Sequence, residues 1–207
     1  MATHNLPQLS IAFVGRVRDL AEIAQSVQDS ACRLLTLVGP GGVGKTRLAV
    51  ETARSLVNDF PAGVYFVPLQ PVQSVDLLVP TIAQAVEYEF TGAVDPKTQL
   101  LSYLSNKSLL LVLDNFEHLI EGADLVADIL AHTSEVKLLV TSREVLNLQE
   151  EWLYPEEIQP TQIGRNSFGI AVAQESGCYT TGGINLARSA CHRESTLVAM
   201  MQAANLR

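Results

Sequence analysis

The chain has 207 residues, 47% hydrophobic and 17% charged, with a formal charge of −8. That length buries one good core, and the acidity argues against a general nucleic-acid binder, which needs a basic surface to neutralise phosphates. The acidity lies in residues 1–160, which carry 20 Asp and Glu against 10 Lys and Arg, whereas residues 161–207 carry 2 against 4.

Met1 to Ser10 reads as a loose leader without the basic and apolar regions of a signal peptide. No apolar run is long enough to span a bilayer, so the expectation is a cytoplasmic protein without a membrane partner. Cys32, Cys178 and Cys191 are scattered, with no C-x-x-C pair, and indicate neither a disulfide framework nor a zinc site.

Asp19–Gln28 has helical spacing, through Leu20, Ile23, Ala24 and Val27. Arg33–Val38 reads as a buried strand, Gly39–Thr46 as a glycine loop, and Arg47–Asn58 as a helix. A second strand spans Val64–Leu69. Ser74 caps a helix running to about Tyr88, with Pro80 delaying its start or kinking it. Asp95-Pro96 opens a helix ending near Asn106.

Ser108–Leu113 is a third strand, nearly all apolar and so buried on both faces. Phe116–His132 follows as one helix, Lys137–Val140 begins a fourth strand ending at Thr141-Ser142-Arg143, and Trp152–Tyr154 makes a short fifth. Alternating strands and helices predict an α/β fold, a mainly parallel sheet covered on both faces. Residues from Thr161 onward hold five of the 13 glycines and no strand-quality apolar run, with only a weak helix over Ser195–Ala204.

Gly39-Pro40-Gly41-Gly42-Val43-Gly44-Lys45-Thr46 fits the phosphate-binding pattern G-x-x-x-x-G-K-T between a strand and a helix. Glycines let amide groups converge on phosphate oxygens, and the helix N-terminus adds its dipole. Lys45 then reaches the β- and γ-phosphates, Thr46 ligates Mg²⁺, and Arg47 opens the helix beside the nucleotide. Asp114 ends the third strand, where a carboxylate holds the Mg²⁺ shell, although Asp there also caps a helix.

Many ATPases place a second acid after the metal-binding Asp, but here that position is Asn115. Asn cannot accept a proton, so Glu117 and His118 are the nearby candidates to activate water, and slow hydrolysis is expected. First-turn helix charge is the other explanation of Glu117. Arg143 points toward the γ-phosphate if its strand lies beside the loop strand, with Thr141 or Ser142 as polar contacts. Arg16, in Phe13-Val14-Gly15-Arg16, either reaches base or ribose or is simply solvated.

Together these motifs resemble the nucleotide-binding domain of the STAND ATPases, also called NB-ARC-like and related to AAA domains. The likeness is greatest to ATPases attached to bacterial LuxR- or SARP-type transcriptional regulators. It covers residues 11–160, through the motifs above and Glu151-Trp152-Leu153-Tyr154-Pro155. It implies a three-layer P-loop NTPase sandwich with strand order 5-1-4-3-2 and an ADP/ATP switch. In that switch Arg16 belongs to the nucleotide pocket, Arg143 is the sensor and Asp114 the Mg²⁺ acid.

Protein partners or self-association follow from the same likeness. Residues 161–207 lack the family's helical lid and winged helix, and read as a divergent or out-of-frame end. Two other readings stay open, a small-molecule kinase or other P-loop enzyme and an inert truncated fragment. ATP is favoured over GTP because no Asn-Lys-x-Asp motif is present.

Overall fold

The computed structural model describes residues 3–8 and 15–156, with the backbone of Asn185–Leu186. Five strands form a parallel sheet: β1 (Leu34–Val38), β2 (Val64–Pro68), β3 (Leu109–Asp114), β4 (Val136–Ser142) and β5 (Glu151–Pro155). A two-residue strand, β6 (Asn185–Leu186), completes the order β2-β3-β4-β1-β5-β6. Read from β5, the order 5-1-4-3-2 is the one the family resemblance implied.

β1 therefore lies between β4 and β5, with Leu37 opposite Thr141 and opposite Tyr154. The ends of β1, β3 and β4 share one sheet edge. Such an edge, at the carboxyl ends of parallel strands, is where ligands bind in open α/β sheets.

Alternation along the strands splits one continuous apolar run between two cores. In β3, Leu109, Leu111 and Leu113 pack with Leu138 and Val140 under α3 (Leu78–Ala85), α4 (Pro96–Leu104) and α5 (Ala123–His132). Leu110 and Val112 face the other way, joining Leu35, Leu37 and Leu139 under α1 (Val17–Gln28) and α2 (Lys45–Ser55). These are the two covered faces of a three-layer α/β sandwich.

Local signals explain most helix boundaries. The Asp95 carboxylate accepts the Thr98 N–H at 2.9 Å to cap α4, with Pro96 at the first helical position. Ser74 caps a 3₁₀ turn, Val75–Leu77, ahead of α3. Pro80 falls in the first turn of α3, where its missing N–H removes no helical bond. The α-helix starts at Leu78, two residues before Pro80, directly after the 3₁₀ turn.

Three expectations are corrected. The single helix over Phe116–His132 is a 3₁₀ stretch, Phe116–Gly122, followed by α5, with Leu119 at non-helical φ −122°. Gly122 sits at the junction because α3 approaches closely: a Cβ there would lie 2.4 Å from Leu78 Cδ1. Beyond Pro160, where no strand was expected, Asn185 and Leu186 pair with Trp152 and Leu153 and cover that much of the β5 edge. The other expectations for residues 157–207, and those for residues 9–14, lie outside the described residues.

The third correction concerns the leader, which is docked where described. His4 bridges Val64 in parallel, and the Asn5 side chain accepts the Phe66 N–H and donates to the Phe66 carbonyl at 3.0 Å. The segment thus closes the free edge of β2, a place that otherwise exposes unpaired backbone. Leu6 is buried with the α1–α2 core, and Arg54 donates to the Pro7 carbonyl at 2.7 Å. Leu6→Ala should lower unfolding free energy in urea by about 2 kcal/mol, at the low end for a buried leucine. A loose leader would leave the midpoint unchanged.

Candidate nucleotide-binding site

The glycine loop is shaped by close approach at one end and by positive φ at the other. A Cβ on Gly39 would lie 2.4 Å from the Glu156 carbonyl oxygen, so only glycine lets the loop leave β1 beside the end of β5. Gly44, at φ 92°, is the N-cap of α2. The first helical bond runs from the Leu48 N–H to the Gly44 carbonyl at 2.9 Å. Amides before it project from the helix end, where the dipole favours an anion.

A cavity of about 320 Å³ opens beside that helix end. On the loop side it is lined by Gly41, Gly42, Gly44, Lys45, Thr46 and Arg47, and across from them stand Asn115, Glu117, Thr141 and Arg143. Gly39, Pro40 and Val43 belong to the loop but do not line the cavity. The Lys45 ammonium donates to the carbonyls of Gly39 at 2.7 Å and Pro40 at 2.9 Å, using two of its three N–H bonds. Burial lowers the Lys45 pKa from the ordinary lysine value; Glu117 opposes this and Arg143 adds to it.

Asp114 is buried at the end of β3, and its Oδ1 accepts the Thr141 hydroxyl at 2.7 Å. The same Thr141 oxygen accepts the Asn115 N–H at 3.0 Å. One hydroxyl from β4 therefore fixes both the acid and the turn after it. That turn needs φ 66° at residue 115, a left-handed conformation that Asn tolerates better than most side chains. Ser142 has a different task, since its hydroxyl accepts the Glu144 N–H at 3.1 Å in the turn after β4.

Arg143 and Glu117 meet across the cavity, Nε to Oε1 at 3.0 Å, with Asn115 Nδ2 donating to the same oxygen at 3.4 Å. The guanidinium also lies against the loop, 3.2 Å from where a Gly41 Cβ would stand. Glu117 Oε2 is buried with no hydrogen-bond partner among the described residues. His118, the other candidate to activate water, is elsewhere. Its Nε2 is 3.1 Å and 2.9 Å from the carbonyls of Leu69 and Val72, so it carries the hydrogen and donates.

The oxygen donors fit a magnesium ion. Thr46 lines the cavity, whereas Asp114 does not line it and is tied to it through Thr141, which does; no cluster of three or more His, Cys, Asp or Glu is found among the described residues. Mg²⁺ takes one or two protein oxygens and completes its shell with water and phosphate oxygens.

Arg16 lies behind the loop and does not line the cavity. Its guanidinium donates to the Val43 carbonyl at 3.1 Å and to Asp19 at 2.8 Å, and pairs with Glu156. The Tyr154 hydroxyl donates to Asp19 at 3.0 Å, tying α1 to β5. Glu156, which the motifs did not single out, is the centre of this arrangement. Its N–H bonds the Val38 carbonyl, its own carbonyl touches Gly39, and its carboxylate binds Arg16. No sequence pattern links residues 140 apart.

Burial raises the Glu156 pKa above the ordinary carboxylate value, with Arg16 offsetting part of the shift. Between the unfolded and folded pKa the native state then binds more protons than the unfolded state. Stability contributed by this group is therefore lost as pH rises through the folded value. Urea unfolding across the range just above the ordinary carboxylate pKa should show that decline, and Glu156→Gln should flatten it. An equal slope in the variant would show that Glu156 is not the group responsible.

Known proteins are similar to parts of this chain. Relatives include a Mycobacterium tuberculosis protein named as an HTH-type transcriptional regulator, 37% identical over 126 residues, which are 59% of this chain and 14% of the relative. An uncharacterized protein of the same organism is 28% identical over 155 residues, 73% of this chain and 39% of the relative. The chain thus spans well under half the length of these curated relatives. Among solved structures, Drosophila ORC bound to DNA aligns with a TM-score of 0.53 at 14% identity, over 68% of this chain and 43% of that one. That likeness is one of fold. No helix among the described residues is long and apolar enough to cross a membrane. A family profile described as an AAA domain matches residues 28–147, from the end of α1 through the turn after β4, and the chain belongs to that AAA family.

Proposed function

We propose that this domain is a nucleotide switch of the STAND type. It binds ATP and ADP with Mg²⁺ and hydrolyses the triphosphate slowly within a longer regulatory protein. The observation that carries the reading is the convergence of Lys45 and Thr46 with Glu117 and Arg143 around one cavity. These groups come from three separate stretches of chain, and each has the chemistry that a triphosphate and a reacting water require.

The loop amides and Lys45 hold the phosphates, and Thr46 and Asp114 would hold Mg²⁺, which would supply neutralisation of phosphate charge. Thr141 positions Asp114. Glu117 takes a proton from water as the water oxygen bonds to the γ-phosphorus. The bond from that phosphorus to the bridging oxygen breaks, and its electron pair leaves on ADP. Arg143 binds the terminal phosphate, and Arg16 braces the loop from behind.

Slow turnover suits this set. Asn115 occupies the position where many ATPases carry an acid, and Glu117 is already bonded to Arg143. The regulator's name on the Mycobacterium tuberculosis relative supports a role in transcription control. In such a protein further domains, protein partners or self-association would read the nucleotide state, and a cytoplasmic location follows from that role.

Lys45→Ala should weaken ATP binding by about ten- to a hundredfold, as expected for losing a charge-assisted hydrogen bond, measured by titration calorimetry. Unchanged affinity would sink the assignment. Wild-type turnover with Mg²⁺ should be below about 1 s⁻¹, under the enzyme median of roughly 10 s⁻¹. EDTA should abolish it.

A further inference from the structure

The ion pair across the cavity has a consequence that rests on the nucleotide reading. Glu117 is the only acid lining the cavity among the described residues, and its Oε1 is held by Arg143 and Asn115. Its other oxygen is buried without a hydrogen-bond partner among the described residues. A carboxylate so placed has one oxygen occupied and one shielded from solvent. It cannot engage a reacting water until something moves.

The movable group is Arg143. Its side chain is 62% exposed, whereas that of Glu117 is 17% exposed. A pair this open to solvent contributes roughly 0–1 kcal/mol, so a better anion displaces it readily. A terminal phosphate is such an anion, because guanidinium binds phosphate through two parallel charge-assisted bonds. The guanidinium already lies against Gly41 of the loop, so it need not travel far.

We propose that Arg143 and Glu117 form a latch operated by the γ-phosphate. While the guanidinium is on Glu117, the carboxylate is withheld from water. A triphosphate bound by the loop draws the guanidinium onto its terminal phosphate and releases Glu117 to accept the water proton. A diphosphate lacks that group and leaves the latch closed. One ion pair thus both distinguishes ATP from ADP and prepares the base only when there is a phosphate to transfer.

The test is a double-mutant cycle on affinity, using a non-hydrolysable triphosphate and ADP, each with Mg²⁺, in titration calorimetry. Glu117→Gln removes the competitor for Arg143. It should tighten triphosphate binding about two- to fivefold, the factor expected from an ion pair of up to about 1 kcal/mol. ADP binding should not change. Arg143→Ala should weaken the triphosphate by about tenfold or more, again with ADP unchanged, and unaltered ADP affinity reports an intact loop.

In the Arg143→Ala background, Glu117→Gln should no longer tighten the triphosphate beyond any change it makes to ADP. Additive effects of the two substitutions, or equal tightening of both nucleotides, would overturn the latch and leave the nucleotide reading standing. A wild-type chain that binds neither nucleotide would overturn both.

Discussion

The site depends on where one ammonium group is held. Lys45 begins α2 at the point where helix amides converge, and two loop carbonyls fix its charge at the cavity wall. Burial works against that charge, and the nearby carboxylates of Glu117, Glu156 and Asp114 help to sustain it. A concentration of donors is thereby kept in a chain whose overall charge is −8. For a polyphosphate the surrounding surface is repulsive, and the loop is where attraction wins over a short range.

Holding that ammonium in place is a problem of backbone support, and the sheet order solves it. β1 has strands on both sides, so its carboxyl end cannot shift without breaking two ladders. β4 brings Thr141 and Arg143 to one flank of the loop. β5 brings Glu156 to the other, in contact with Gly39 and paired with Arg16. The loop is braced by polar contacts behind and left open to the cavity in front. Such bracing is what a glycine-rich segment needs to act as the preorganised phosphate site proposed for it.

What could be read from the sequence follows the range of the interaction. The loop, the strand before it, the helix after it and the terminal acid of β3 are local patterns, and a nearly all-apolar run such as Ser108–Leu113 marks a strand covered on both faces. Caps such as Asp95 are local too. The docking of Asn5 on Phe66 and the pairing of Arg16 with Glu156 join residues 61 and 140 apart, and no spacing rule reaches that far. The break at Leu119 was hidden for a different reason. The segment is apolar at helical intervals, and it is the contact of Gly122 with Leu78, together with the His118 bonds to Leu69 and Val72, that accompanies the departure from a single α-helix.

The left-handed turn at Asn115 connects the shape of the site to its chemistry. An acid directly after Asp114 would start from the same turn, with φ 66°, where Asn is better tolerated than Glu. In this chain the carboxylate comes two residues later, in the 3₁₀ stretch, where it lies within reach of the end of β4. That displacement is what brings Glu117 to Arg143 and not to a solvent-facing position. On the proposed reading, a base placed there would be subordinate to the arginine that would sense the phosphate. An arrangement that would restrain its own base suits the slow turnover and held nucleotide state of the proposed switch better than rapid hydrolysis.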